Sequence, residues 1–258
     1  MEAKTGQVIF VGAGPGDPEL ITLKGKKALE AADRVIYAGS LVNPELLQYC
    51  RTGIPLHDSA HLTLEDTLRL MIEGVEQKEI VVRLHTGDPS VYGAIQEQME
   101  PLEKKNIPYT VIPGVSSVFA AAASVKKEFT VPEVSQTVIL TRLAGRTPVP
   151  ERESLVELAK HRASMAIFLS VQDMGRVVQE LLAGYSPETP VAVIYRASWE
   201  DEQQVYGTLA TIEERVKQEG IKKQAQILVG DFLNFHEGSR SKLYDPEFTH
   251  EYRTGQKS

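Results

Sequence analysis

The 258-residue sequence predicts an α/β protein. Three observations carry that prediction. Short apolar, β-rich runs of strand length recur along the chain, amphipathic helical stripes fall between them, and several of the runs end directly in glycine-bearing turns.

The runs are Val8–Val11, Val35–Ala38, Ile80–Leu84, Tyr109–Ile112, Val138–Thr141, Met165–Leu169, Val191–Tyr195 and Ile227–Val229. Their continuous apolar character suits strands buried on both faces. Leu64, Leu68, Met71, Ile72 and Val75 lie on one helical face, and Thr63 with Asp66 has capping-box spacing at its start. Met174, Val177, Val178, Leu181 and Leu182 make a second stripe. Ile212 and Val216 make a third, entered through Thr211 and Glu214, again in capping-box spacing. All three are expected to face a core rather than a ligand. The expected domain break follows Pro113-Gly114, which gives domains 1–115 and 116–236. The polar tail 237–258 is expected to fray, with no periodic apolar pattern after Phe235.

A hydrophobic content of 42% with 24% charged residues is that of a soluble globular protein. No apolar run approaches the roughly 20 residues needed to span a bilayer, and no signal-peptide pattern opens the chain, so a cytoplasmic protein is expected. Cys50 is the single cysteine, which excludes an intrachain disulfide and a cysteine-based metal cage; no metal site is expected. A net charge of −7 argues against nucleic acid or an anionic membrane as partner. An anionic small molecule needs only a local group of cations. Lys24 with Lys26 and Lys27, Lys126 with Lys127, and the stretch Arg142 to Arg146 are the candidates; a solvated surface is the competing reading.

Three segments could carry chemistry. Val11-Gly-Ala-Gly-Pro-Gly-Asp-Pro18 directly follows the first run. It invites a dinucleotide-loop reading, but Pro15 and Pro18 remove two amide donors, and the second run leads into Gly39 without an acid for a ribose. A structural turn fits equally well. His85-Thr-Gly-Asp-Pro-Ser-Val-Tyr-Gly93 ends the third run, where ligands bind in open α/β sheets. Gly87 permits close backbone approach, Asp88 is a candidate acceptor, and Pro89 and Ser90 suit a helix start; a plain turn capped by Asp88 is the alternative. Ile112-Pro-Gly-Val-Ser-Ser117 leads into Ala120 to Ala123, where small side chains admit either a ligand or a packed helix.

Together, in this order, the three segments resemble the tetrapyrrole methylase family. The resemblance runs from Val8 to about Gly230 and rests on the VGAGPGD opening, the TGDP loop and the PGVSS turn. It implies two α/β domains with S-adenosylmethionine in the cleft between them, a fold distinct from the Rossmann-like methyltransferases. The first domain would carry the substrate trough and part of the cofactor site, and the second the remainder. The cofactor contacts it implies fall on Pro15, on Thr86, Gly87 and Asp88, on Val91 and Tyr92, and on Ser116 and Ser117. Further along they fall on Leu169, Ser170, Ala197, Ala225 and Ile227. Many members have methionine where Ser170 stands. S-adenosylhomocysteine would be the product, and a symmetric homodimer the expected state.

Within that family, Tyr37-Ala-Gly-Ser-Leu-Val42, Asp58-Ser-Ala-His61, Arg83–Gly93 and Thr141-Arg-Leu-Ala-Gly-Arg-Thr-Pro-Val-Pro150 resemble the corrin branch that methylates carbon 11 of precorrin-4 or cobalt-precorrin-4. Uroporphyrinogen methylases carry an aspartate where this chain has Ala38. Transfer from a sulfonium to an electron-rich ring carbon asks the protein mainly for alignment and exclusion of water. If a side chain assists proton removal, His85, His61 and Tyr37 are the candidates, each with a packing role as its alternative. Arg51, Arg142 and Arg146 are the candidate carboxylate binders for the polyanionic substrate. The rival readings are a methylase of this fold acting on another precorrin carbon, on RNA ribose or on a modified histidine (diphthine); a nicotinamide-dependent oxidoreductase; and a non-catalytic binding protein.

Overall fold

The computed structural model describes residues 5–234 and 246–255. The chain divides into two units. One holds the residues up to Ala121 together with Arg196–Glu202, and the other holds Ala122–Tyr195 with the residues from Gln203 onward.

The first unit is built on five parallel strands, β1 (Gln7–Gly12), β2 (Arg34–Tyr37), β3 (Leu56–Asp58), β4 (Ile80–His85) and β5 (Tyr109–Ile112), in the order β3-β2-β4-β1-β5. Its helices are α1 (Leu23–Ala31), α2 (Leu64–Glu76) and α3 (Gln96–Lys104), and α4 (Ser117–Ser124) begins in it. Alternation along the strands separates two core faces. Val11, Val35, Val82 and Leu84 pack with Ala28 and Leu29 of α1. Val8, Phe10, Ile36 and Val81 pack on the other side with Met71 of α2 and Leu102 of α3. The capping box of α2 forms as expected: Thr63 Oγ1 accepts from Asp66 N at 3.1 Å and Asp66 Oδ2 accepts from Thr63 N at 3.4 Å. Burial on both faces holds for the central strands but not for the edge, since Thr110 and Val111 of β5 are exposed.

The second unit carries β6 (Val138–Arg142), β7 (Ser164–Phe168), β8 (Pro190–Tyr195), β9 (Gln203–Thr208) and β10 (Ala225–Val229), in the order β6-β7-β10-β8-β9. Only β6 and β7 pair parallel; the other neighbours are antiparallel. Helices α5 (Leu155–Ala159), α6 (Met174–Leu181) and α7 (Ile212–Gln218) cover one face of this sheet. There Met165, Ile167, Val193, Ile227 and Val229 meet Leu155, Val177, Leu181, Ile212 and Val216. The stripe of α6 is a core face, although Leu182 at its end is exposed. The capping box expected at Thr211 does not form. Its hydroxyl accepts from Thr208 N at 3.0 Å, closing the turn before the helix instead.

All eight apolar runs are strands. The two further strands, β3 and β9, are edge strands whose sequences, LHD and QQVYGT, carry no apolar run; β3 has no fully buried residue and β9 has only Val205. Residues 237–245 and 256–258 of the expected polar tail lie outside the described residues. Among the described residues no helix is long and apolar enough to cross a membrane.

Candidate functional site at the carboxyl ends of the first sheet

A parallel sheet gathers the carboxyl ends of its strands on one edge, and ligands bind there. The order β4-β1-β5 makes neighbours of three loops that are far apart in sequence: the glycine loop after β1, the Thr86–Gly93 loop after β4 and the Pro113–Ser117 turn after β5. Backbone hydrogen bonds knit them. Ala13 N donates to His85 O at 2.7 Å, and Gly14 and Gly87 exchange bonds of 3.3 and 2.8 Å. The closeness depends on missing side chains. A Cβ on Gly12 would stand 2.5 Å from Gly114 Cα, and one on Gly114 would stand 2.1 Å from Gly87 O. Gly87 itself has φ of +60°, a conformation glycine adopts without strain.

Asp88 ties the last two loops together. Its Oδ2 accepts from Gly114 N at 2.9 Å, and its Oδ1 accepts from Ser90 N at 2.8 Å and from the Ser90 hydroxyl. Partial burial pulls its pKa upward, but the bonds from Ser90 and Gly114 outweigh that and hold it below the ordinary carboxylate value. Asp88 therefore has several structural partners. No helix starts at Pro89-Ser90, contrary to the sequence expectation; α3 opens only at Gln96, after turns in which Tyr92 and Ala94 take left-handed φ of 57° and 49°. Such strain persists only where the surroundings over-determine it.

The dinucleotide reading of the first loop has no structural support. Behind the glycines come a 3-10 turn (Pro18–Leu20) and then α1, which Thr22 caps through Gly25 N at 3.1 Å. The glycines thus do not open a helix whose N-terminus could face a phosphate.

Next to β4, the loop after β2 carries Ala38–Val42. Gly39 N donates to Asp58 Oδ1 at 3.0 Å, Ser59 Oγ donates to Tyr37 O at 3.1 Å, and Thr86 Oγ1 reaches Leu41 O at 3.5 Å. The Tyr37–Val42 and Asp58–His61 segments are one local structure, because β2 and β3 pair there.

The three candidate bases are not brought together. Tyr37 packs against the α1 side of the sheet. His85, in register with Gly12 on β1 and alternating with Leu84, points to the opposite side, 6.0 Å from the Phe10 ring. It is 4% exposed, its Nε2 has no hydrogen-bond partner among the described residues, and burial with the charge of Arg83 lowers its pKa to about 3. His61 is exposed at the end of its 3-10 turn.

Of the residues expected around a cofactor in the first unit, Pro15, Gly87 and Ser116 are buried, Thr86, Asp88, Val91 and Ser117 are half-buried, and Tyr92 is exposed. Ala197, expected with the later group, is buried and belongs to the first unit. In the second unit, Leu169 is 65% exposed with φ of 54°, at the end of β7. Ser170 is buried and its hydroxyl is engaged locally, donating to Phe168 O at 2.6 Å and accepting from Leu143 N at 2.9 Å. Ala225 is half-buried and Ile227 lies wholly within the core.

The arginines differ. Arg51 lies at the amino end of β2, away from these loops, where Nη2 donates to Asp33 Oδ1 at 2.6 Å and Ala32 O at 2.7 Å. Arg142 holds its own loop together through Thr147 O at 3.1 Å and Pro148 O at 2.8 Å. Arg146 stands exposed at the tip of that loop. Sequence reasoning passed over Asn43, Ser198 and Trp199, which contact the glycine loop; a tryptophan in a polar connection carries no periodic signal that would have marked it.

A family model described as tetrapyrrole (corrin/porphyrin) methylases matches residues 7–213. The chain is 59% identical to the cobalt-precorrin-4 C(11)-methyltransferase of Methanocaldococcus jannaschii, over 97% of this chain and 97% of that protein. A solved structure of a cobalt precorrin-4 methyltransferase, a cobalamin biosynthetic enzyme, matches with a TM-score of 0.86 and 46% identity, over 88% of this chain and 95% of that one. A uroporphyrin-III C-methyltransferase from Thermus thermophilus, solved with S-adenosylhomocysteine, matches with a TM-score of 0.74 and 28% identity, over 88% of this chain and 93% of that one.

Proposed function

Because the chain belongs to the tetrapyrrole (corrin/porphyrin) methylases, we propose that it transfers a methyl group from S-adenosylmethionine to carbon 11 of precorrin-4 or cobalt-precorrin-4, in cobalamin biosynthesis. The observation that carries this reading is the identity to the M. jannaschii enzyme, which spans nearly the whole of both chains. The cofactor supplies an electrophilic methyl on a sulfonium. The loops after β1, β4 and β5 suit it: they offer backbone groups and small uncharged side chains, as at Gly87, Ser116 and Ser117, and no helix N-terminus behind the glycines for a phosphate. Pro15, Thr86, Asp88, Val91 and Tyr92 would complete that part of the site, with Ala197. Leu169, Ser170, Ala225 and Ile227 would contribute through backbone or, at Leu169, through an exposed side chain.

The residues support a mechanism of alignment rather than of a dedicated base. At neutral pH His85 is neutral and buried, and a group with a pKa near 3 is a poor proton acceptor. Tyr37 faces the other side of the sheet and His61 lies in solvent. The knitted loops would hold the donor, whose methyl–sulfur bond breaks on transfer to leave S-adenosylhomocysteine, and the tetrapyrrole's own ring electrons would activate the accepting carbon and release the proton. Near-attack alignment of this kind supplies roughly 7–11 kcal/mol of barrier lowering in well-oriented systems. Arg146 is the candidate for a substrate carboxylate, with Arg142 shaping its loop. A homodimer is the proposed state, checked by light scattering against the 28.5 kDa chain. The function is tested by incubating the protein with S-adenosylmethionine and enzymatically prepared precorrin-4, with and without cobalt. One added methyl, located at carbon 11 by NMR, is the expected result; methylation at another carbon, or none, overturns it.

A further inference from the structure

The glycine loop is held at three consecutive residues by side chains from outside it. Trp199 Nε1 donates to Pro15 O at 2.9 Å, Asn43 Nδ2 donates to Gly16 O at 2.9 Å, and Asp17 N donates to Ser198 Oγ at 3.0 Å. The indole occupies the place of a side chain at residue 16, since a Cβ there would stand 2.1 Å from Trp199 Cδ1. Trp199 is itself braced. The Arg196 guanidinium stacks 4.0 Å from its ring centroid and pairs with Asp201, and Ser198 N donates to Glu202 Oε2 at 2.7 Å. Arg196 and Ser198 adopt left-handed φ of 47° and 70°, so the segment 196–202 is fixed in a strained shape. On its other side the same loop is bonded to Gly87 through Gly14. Two prolines, Pro15 and Pro18, already stiffen the turn, so this is more restraint than the turn alone requires.

We propose that Trp199 and Ser198 are positioning residues for the methyl transfer: the 196–202 segment is a clamp that sets the Pro15–Asp17 backbone against the reacting groups. The clamp acts through the loop and not by touching substrate, and it rests on the methyltransferase reading above. When rate comes from alignment, a loop free to shift by about an ångström costs turnover by up to about a hundredfold before it costs affinity.

The test compares native protein with Trp199→Phe, which keeps a ring over Gly16 and beneath Arg196 but removes the N–H donor. Expected is a fall in kcat of about tenfold, within the range that misalignment produces. S-adenosylhomocysteine affinity by calorimetry should stay within about twofold, and the melting temperature should be nearly native. Ser198→Ala should shift the same parameters in the same direction. Gly16→Ala should be more damaging than either, because its methyl displaces the indole. Placed in a Trp199→Ala background, the same change should add no further loss, since the room it needs is then open. Trp199 is the only tryptophan, so Gly16→Ala should also move its emission toward that of a solvated indole. Native turnover with kcat unchanged in Trp199→Phe and Ser198→Ala overturns the clamp alone. So does a loss that tracks the melting temperature, or additive losses in the double variant. A native protein that binds S-adenosylhomocysteine but methylates no precorrin-4 overturns the functional reading, and the clamp's role with it.

Discussion

Asp88→Ala removes three hydrogen bonds at once, those from Gly114 N, Ser90 N and the Ser90 hydroxyl. Bonds to an ionised group contribute about 1.5–3 kcal/mol each when buried, but this carboxylate is half-exposed and solvent screens it, so about 2 kcal/mol in all is the reasoned loss. For a chain of this length that is a fall in melting temperature of about 6 °C. Because the bond from Gly114 joins the β4 and β5 loops, the cofactor should bind more weakly as well. Asp88→Asn should restore little, since an amide cannot accept from Gly114 and Ser90 with both of its heads. Thermal melts followed by circular dichroism, paired with calorimetric titration of S-adenosylhomocysteine, measure both effects. The pH dependence supplies a further check. Asp88 has a folded pKa below its unfolded value, so its contribution is complete above about pH 4 and is lost as pH falls through the lower folded value. The gap between native and Asp88→Ala should therefore close in acid. A native melting temperature in Asp88→Ala with weakened cofactor binding would refute the structural role and leave only a ligand contact.

Gly114→Ala forces a methyl to within 2.1 Å of Gly87 O, with backbone on both sides, and should cost about 3 kcal/mol or more in a denaturant titration. His85→Leu should flatten the acid limb of the stability curve. The native histidine binds its proton more readily unfolded than folded, so stability falls between about pH 6.5 and its folded value of about 3, by up to about 1.4 kcal/mol per unit. An unchanged slope in the variant would move that sensitivity elsewhere. Arg51→Ala should leave the Michaelis constant for the tetrapyrrole unchanged and cost no more than about 1 kcal/mol of stability, whereas Arg146→Ala should raise that constant about tenfold. Unchanged Michaelis constants in both variants would show that neither arginine meets the substrate, and a tenfold rise in Arg51→Ala would place Arg51 at it after all.

What the sequence determined by itself was local. A strand packed into a sheet advertises itself as an apolar run, so all eight runs were readable, those of the edge strands β5 and β6 included. The capping box at Thr63 was equally readable, because its partners lie three residues apart. The same spacing at Thr211 misled, since a tighter turn back to Thr208 captured the hydroxyl. Strands β3 and β9 carry no run: β3 buries none of its three residues fully and β9 buries only Val205. Only the tertiary structure decided that the loops after β4, β1 and β5 are neighbours: strand order is set by how helices cover both faces of the sheet, which no local pattern records. It likewise decided that Arg51 belongs to the opposite end of the sheet and that His85 is sealed away from Tyr37. It also decided that the only tryptophan, more than 180 residues along the chain, lies against Gly16. Contacts between residues so distant in sequence depend on the path of the backbone in space, and a reading of periodicity and spacing has no access to it.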